Sequence, residues 1–254
     1  MTKKTLAVAL ALSWTASVLA AQTATQIMEE VHRRARADNF RYDGRITIRK
    51  ANGDKDQKSW RCERLGEAGS SKMMLRFIDP ADIRGVALLV WNHSQKPSEM
   101  WLYTPALART RRIAQQDRSS RFAGTDFSFE DFEESDTSSW DYSELQEEQQ
   151  SGEACWRITA RRSTTHPSQY DRQWIWVSKE KMTPLRVDKF RRGKLARRLT
   201  MHSLELRQGI WTPMRVEVVD LLGNSSTTLD LVDARYNQRM HESQFTLEAT
   251  KGSW

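Results

Sequence analysis

Apolar and polar residues alternate along most of the chain, so that apolar side chains recur at every second position. The segments in the first half are RYDGRITIRK, KSWRCER, SKMMLRFID, GVALLVW and EMWLYT. Those in the second half are SWDYSEL, EACWRITARR, DRQWIWVS, PLRVDKF, KLARRLTMHSLELR, IWTPMRVEVVD and SSTTLDLVDARY. A period of two is typical of β-strands that bury one face, so each segment predicts a strand.

Short turn signals separate these segments. They are Asn52-Gly53, Gly152, Arg192-Gly193, Gln208-Gly209 and Gly223-Asn224. Glycine and asparagine tolerate the backbone conformations of tight hairpins, so consecutive strands are expected to be joined directly. The pattern predicts about eleven to thirteen strands in one antiparallel sheet, strongly curved or nearly closed.

Two segments break the alternation. Residues 23–38 predict one helix, because Thr23 and Gln26 have the spacing of a capping box and Ile27, Val31 and Ala35 fall on one stripe. The second break, at residues 115–138, shows no period at all. A segment of that length is far longer than a hairpin loop, and long loops are often lids or binding elements.

The insertion at 115–138 contains the stretch GTDFSFEDF, which packs phenylalanines and acids together. We expect Phe127, Phe129 and Phe132 to face inward. The acids of this stretch, Asp126, Glu130 and Asp131, are expected to face water or the arginines just upstream. Thr125 or Ser128 can cap a helix here, and acids near a helix N-terminus complement its dipole. One alternative is a calcium loop, but DFSFEDFEESD lacks the ligand spacing and the turn glycine of that motif. The other is a carboxylate pair for glycoside hydrolysis, but any acid-rich protein offers such pairs.

The first 21 residues predict a secretory signal peptide. Lys3 and Lys4 precede a short apolar run, and small residues before Ala20 and Ala21 fit a cleavage site. Residues 22–254 then form one domain that is exported, which in a bacterium with two membranes means the periplasm. The formal net charge of +7 fits an anionic membrane surface or an acidic partner, but the charge alone favours the simpler explanation of solvated strand faces. Nucleic acid is not an expected partner of an exported protein.

The sequence offers no catalytic or metal-binding motif. It has no G-x-S-x-G elbow and no glycine-rich phosphate loop. The five histidines are scattered without metal-ligand spacing, at positions 32, 93, 166, 202 and 241. We therefore expect no enzyme activity and no cofactor. An exported protein can form a disulfide between Cys62 and Cys155. Both cysteines lie in alternating runs, where cysteine is often a small buried apolar residue, and we favour unpaired thiols over the disulfide.

Large aromatic residues recur on the predicted strands. Trp174 and Trp176 share one strand face, as do Trp101 and Tyr103. Ordinary core packing explains such residues, but on a curved sheet with an aromatic lid they can also line a cavity for an apolar ligand. The candidate ligand-binding residues are Phe77, Leu89, Trp91, Trp101, Tyr103, Phe127, Phe129, Phe132, Trp174 and Trp176.

Several blocks of the sequence resemble a known family. FIDPADIRGVALLVW, EMWLYTPALARTRRI and GTDFSFEDF, in that order, are similar to outer-membrane lipoprotein-sorting proteins, relatives of the carrier LolA and the receptor LolB. The segments WIWVSKEKMTPLRVDKF, IWTPMRVEVVD and ARYNQRMHESQFTLEAT agree with it. The resemblance implies an unclosed, strongly curved antiparallel β half-barrel with a helical lid, the insertion at 115–138, over a hydrophobic cavity.

The resemblance also implies a function. Such a protein is expected to bind the acyl chains of a lipoprotein or another lipid, touch membranes transiently and move its cargo toward the outer membrane. An inner-membrane exporter of the resistance-nodulation-division type and an outer-membrane acceptor are possible partners. Arg45, Arg61 and Arg76 are candidates to grip the cargo. The alternatives are a sensor or regulatory lipid-binding protein, an accessory subunit of an exporter, a structural envelope subunit and, least favoured, a hydrolase.

Overall fold

The computed structural model describes residues 22–67, 69–94, 96–134, 137–163 and 167–252. The predicted signal peptide at 1–21 lies outside these residues, as do Asp136 of the insertion and His166. Within the described chain, one antiparallel sheet contains all thirteen strands. They are β1 (Asn39–Arg49), β2 (Lys55–Glu67), β3 (Ser70–Asp79), β4 (Ala87–Trp91), β5 (Glu99–Thr104), β6 (Arg109–Arg112), β7 (Trp140–Gln150), β8 (Glu153–Arg162), β9 (Arg172–Ser178), β10 (Pro184–Arg191), β11 (Lys194–Arg207), β12 (Ile210–Asp220) and β13 (Ser225–Tyr236).

The strand order shows how the meander folds. It runs β6-β5-β4-β3-β2-β1-β13-β12-β11-β10-β9-β8-β7, so β1 and β13 meet in the middle and β6 and β7 form the two edges. The edge strands do not pair with each other, so the sheet is a strongly curved half-barrel that is not closed. The predicted fold class and strand number are both confirmed.

The helix α1 (Ala24–Arg34) begins where the sequence predicts it. Thr23 and Gln26 form the predicted capping box: the Gln26 backbone N–H donates to Thr23 Oγ1 at 3.2 Å, and the Thr23 N–H donates to Gln26 Oε1 at 2.9 Å. Ile27 and Val31 are buried as expected. The helix ends four residues earlier than predicted and Ala35 is exposed, because the chain must turn there to enter β1. None of the helices in the described chain is long and apolar enough to cross a membrane.

The sheet has two faces of different character. The inner face is defined as the face that carries α1 and the segment between β6 and β7. The outer face is the opposite one. Near α1, the inner face packs Ile158, Ile175 and Val177 against the helix. Farther along the same face, the residues that pack together include Ile46, Ile48, Trp60, Cys62, Met73, Leu75 and Phe77, as their alternation predicts.

The outer face of β3, β4 and β5 is covered by the end of the chain. Two 3-10 turns, Glu242–Phe245 and Ala249–Lys251, lie there, and Phe245 is fully buried against Met74 and Leu89. Trp91 Nε1 donates to the Phe245 carbonyl at 3.0 Å, which fixes the segment in place. This cover was not predicted from the sequence.

The segment between β6 and β7 is the predicted insertion, but it holds no α-helix among its described residues. It contains three 3-10 turns, Gln115–Asp117, Phe129–Phe132 and Thr137–Ser139, and an isolated bridge between Arg121 and Ser128. We call residues 115–134 the lid segment. The two cysteines are buried and unpaired, Cys62 on the inner face and Cys155 on the outer face, which confirms the prediction for them.

Candidate functional site

The middle of the inner face is apolar but incompletely covered. Strand register places Met201, Val216, Leu229 and Ile46 side by side across β11, β12, β13 and β1. Ile46 is buried, whereas the other three are only half-buried. Their half-buried neighbours Leu199 and Leu231 extend the same surface. We call these five half-buried residues, Leu199, Met201, Val216, Leu229 and Leu231, the apolar floor.

A row of polar side chains runs across the same face beside the apolar floor. Register aligns its members across β9 to β13: Gln173, Lys189, Arg197, Asp220 and Ser225. Arg197, Asp220 and Ser225 are buried. Buried polar groups need hydrogen-bond or ion-pair partners, so a segment that packs over this polar row must supply them.

The lid segment supplies those partners, and Asp126 is its first anchor. Its carboxylate is fully buried and accepts from Ser225 Oγ at 2.6 Å and from Thr227 Oγ1 at 2.8 Å. Arg121 lies 3.2 Å from the same carboxylate and 2.6 Å from Asp220. Asp126 therefore ties the lid segment to β13, and through Arg121 to β12.

Asp131 is the second anchor. Its carboxylate lies 2.5 Å from Lys189 and 3.3 Å from Arg197, and it accepts from the backbone N–H and hydroxyl of Ser128, each at 2.7 Å. Burial acts to raise the pKa of Asp131, but Lys189 and the Ser128 hydrogen bonds hold it below its ordinary value. The carboxylate is therefore charged and joins the lid segment to β10 and β11.

The acids that follow are anchors as well. Glu133 lies 2.6 Å from Arg118, and burial raises the pKa of Glu133 to about 7 in spite of that arginine. Glu134 pairs with Arg64 at 2.7 Å and accepts from Ser71 Oγ at 2.9 Å. The expectation that the acids of this region face water is wrong for Asp126 and Asp131. The expected contacts with upstream arginines exist for Asp126 and Glu133.

The phenylalanines of the lid segment differ in burial. Phe129 is buried, with its ring centroid 5.5 Å from that of Phe122, which in turn lies 5.6 Å from Phe77. Phe127 and Phe132 are only half-buried, with centroids 6.1 Å apart. The rings do face inward, but Phe129 belongs to the core, while Phe127 and Phe132 lie at its edge.

The ten candidate ligand-binding residues do not share one face. Phe77, Phe127, Phe129 and Phe132 lie on the inner face or in its lid segment. Leu89, Trp91, Trp101 and Tyr103 lie on the outer face beneath the C-terminal segment. Trp174 and Trp176 share a strand face as expected, but it is the outer one, where they pack with Cys155 and Leu185. Arginines cover these two indole rings: Arg157 lies 4.7 Å from the Trp174 centroid and Arg186 lies 4.3 Å from that of Trp176.

The arginines proposed to grip a cargo also lie on the outer face. Arg61 pairs with Asp43 at 2.6 Å, and Arg76 donates to the carbonyls of Thr250 and Ala249 at 2.8 and 2.7 Å. Arg45 is exposed and alternates with the buried Ile46, so it points away from the apolar floor. None of the three is placed to contact a ligand on the inner face.

A cavity of about 230 Å³ lies between α1, the lid segment and strands β7, β9 and β10. Met28, Trp140 and Ile175 form its apolar wall, and Glu130, Tyr170 and Lys189 are among its polar lining. Ile175 is aligned through Val187 with Leu199, so the cavity and the apolar floor belong to one continuous face. Neither Tyr170 nor Leu229 was a sequence candidate, although the alternation in SSTTLDLVDARY placed Leu229 and Leu231 on a common face.

An open antiparallel half-barrel whose inner face carries a helix and a lid segment defines the LolA-like class of folds. Residues 69–251 match a family model described as "Uncharacterized protein", and the chain belongs to that family. No curated protein gives a match to the chain.

Three solved structures are similar over most of the chain. An outer membrane lipoprotein-sorting protein domain from Vibrio parahaemolyticus is 24% identical, with a TM-score of 0.85 over 90% of this chain and 98% of that one. A DUF1329 family protein from Desulfovibrio piger is 25% identical, with a TM-score of 0.85 over 89% and 97%. A LolA superfamily protein from Nitrosomonas europaea is 18% identical, with a TM-score of 0.72 over 90% and 100%. These similarities confirm the fold expected from the sequence resemblance.

Proposed function

We propose that the protein is an exported carrier that binds the acyl chains of a lipid or lipoprotein on the apolar floor. The observation that supports this most directly is the floor itself: five apolar side chains in the middle of a large sheet, left half-buried beside a lid segment. Covering such a surface with a chain of methylenes gains about 0.8 kcal/mol per methylene. No covalent step is needed for this function.

The contacts that hold the lid segment in place are compatible with a ligand bound beside it on the apolar floor. Its anchors, Asp126 and Asp131, bond to the polar row and to Thr227 rather than to the apolar floor. The half-buried Phe127 and Phe132 lie at the edge of the packed phenylalanines. An acyl chain on the floor therefore does not have to break the anchors, and the lid side chains can adjust around it.

The cellular route is part of the same proposal. The predicted signal peptide places the protein in the periplasm, where it takes its cargo from the inner membrane and moves it toward the outer membrane. The similarity of the fold to an outer membrane lipoprotein-sorting domain and to a LolA superfamily protein supports this assignment. An inner-membrane exporter as donor and an outer-membrane protein as acceptor complete the proposed route.

Lipid binding can be tested by comparing two substitutions on the same strand. Leu229→Gln places an amide in the apolar floor, whereas Val232→Gln changes a side chain that is already 62% exposed. With a fluorescent fatty acid as the probe, Leu229→Gln should weaken binding about tenfold, because the bound chain would bury an amide without a hydrogen-bond partner, which costs about 1–3 kcal/mol. Val232→Gln should leave the affinity unchanged. A wild-type protein that binds no fatty acid or phospholipid would refute the proposed function.

A further inference from the structure

Tyr170 and Glu130, which line the cavity beside α1, each have a buried oxygen with no hydrogen-bond partner in the described part of the chain. Tyr170 is 2% exposed and lines the cavity, and its hydroxyl has no hydrogen-bond partner among the described residues. Glu130 lines the same cavity. Its Oε2 accepts from the Gln169 backbone N–H at 3.2 Å, but its buried Oε1 has no partner in the described chain. Buried polar atoms of this kind are rare, and each calls for a physical explanation.

The surrounding cations compensate the charge of Glu130 only in part: burial raises its pKa and outweighs Lys189, which acts to lower it. Lys189 also lines the cavity, but it pairs with Asp131 at 2.5 Å, and Arg197 lies 3.3 Å from the same carboxylate. Glu133 pairs with Arg118. Lys189, Arg197 and Arg118 are therefore each paired with a carboxylate other than Glu130. Burying a carboxylate that has no ion-pair partner of its own is unfavourable.

Glu130 Oε1 and the Tyr170 hydroxyl indicate which polar group of a ligand could form their missing hydrogen bonds. A primary ammonium has three N–H donors and a positive charge, so it is the group that can donate both to a carboxylate oxygen such as Glu130 Oε1 and to a hydroxyl oxygen such as that of Tyr170. A carboxylate or phosphate would instead meet a second negative charge at Glu130. A neutral hydroxyl could satisfy the hydrogen bonds but not the charge.

We propose that this cavity binds the ammonium-bearing polar end of an amphiphile whose hydrocarbon chain lies on the apolar floor. The inference rests on the proposed function, since the floor must hold the chain. At about 230 Å³ the cavity is smaller than typical small-molecule pockets, so it accommodates a polar end but not a whole lipid. The register path from Ile175 through Val187 to Leu199 crosses two strand spacings, about 10 Å, which connects the polar end to the chain site.

Three probes with the same chain and different polar ends test the assignment: decylamine, decanol and decanoate. Their affinities can be measured by displacement of an environment-sensitive dye. The wild-type protein should bind decylamine about tenfold more tightly than decanol, and decanoate most weakly. Glu130→Gln should abolish the preference for decylamine while leaving decanol binding within about twofold. Glu147→Gln removes a carboxylate that is 77% exposed and should change none of the affinities.

Tyr170→Phe provides a second variant that is expected to fold. It removes a hydroxyl that has no hydrogen-bond partner among the residues the structure describes, so the melting temperature should stay the same or rise, while decylamine binding weakens several-fold. If decanol binds and Leu229→Gln weakens it, but decylamine shows no preference that depends on Glu130, the ammonium subsite is refuted and the carrier function stands. If none of the three probes binds the wild-type protein, the carrier function itself is refuted.

Discussion

Two apolar surfaces lie on opposite faces of the same sheet, and they differ in how completely other residues of the chain cover them. On the outer face, Met74 and Leu89 are completely buried because Phe245 lies over them. On the inner face, Met201, Val216 and Leu229 stay half-buried, although a lid segment is anchored beside them. Both surfaces are apolar, and they differ in what covers them. A surface that the chain covers with its own residues contributes to stability, and one that it leaves uncovered is available for a ligand.

Removing the outer cover should have the largest effect on stability. Phe245→Ala leaves a cavity over Met74 and Leu89, and a buried phenylalanine replaced by alanine costs about 3–5 kcal/mol. Denaturant unfolding should show this loss, while fatty-acid binding to the native protein stays unchanged. If Phe245→Ala weakened fatty-acid binding as strongly as Leu229→Gln, the two surfaces would not be independent.

Within the lid segment, Phe129 should contribute mainly to stability and Phe127 mainly to fatty-acid binding. Phe129→Ala should cost about 3 kcal/mol, because Phe129 is buried against Phe122. Phe127→Ala should cost about 1 kcal/mol, because its side chain is only half-buried, and should change fatty-acid affinity more than stability. Thermal unfolding and probe binding on the same samples separate the two effects. Equal losses of stability in both variants would assign the whole stretch to core packing.

The strands and the capping box of α1 could be predicted from the sequence because both depend on local spacing. Alternation identifies residues that share a face, as with Trp174 and Trp176, but it does not say which face is the inner one. GVALLVW is apolar at every position except its glycine, so Leu88 and Leu89 cannot be told apart until the strand is placed in the sheet. The structure puts Leu88 on the inner face and Leu89 on the outer face.

The anchors of the lid segment could not be predicted for a different reason. The partners of Asp126 are Ser225 and Thr227, which are 99 and 101 residues away in the sequence. A serine and a threonine on a strand give no signal that a carboxylate will lie over them. Because the acids of GTDFSFEDF are close to one another and to arginines, they indicate a solvated rim just as well as buried anchors.

One ion pair on each face of the sheet can be compared for its contribution to stability. Asp131 is buried on the inner side and pairs with Lys189 and Arg197, whereas Asp230 pairs with Arg215 on the exposed outer face at 2.5 Å. Asp131→Asn should cost about 2 kcal/mol at neutral pH, because it leaves buried cations without a counter-charge. Asp230→Asn should cost less than about 1 kcal/mol, since exposed pairs contribute little.

The sign of the pH effect follows from the lowered pKa of Asp131. The folded protein holds this carboxylate charged at pH values where the unfolded chain, with a pKa near 3.8, begins to take up a proton. The stabilisation is therefore complete above the unfolded pKa and is lost as the pH falls through the lower, folded pKa. Urea unfolding of the wild type and of Asp131→Asn from neutral pH into this acid range should show their stabilities converging only at the acid end. A difference that stays constant down to the lowest pH would mean that Asp131 acts through packing and neutral hydrogen bonds, and the lid segment would then not be held by charge.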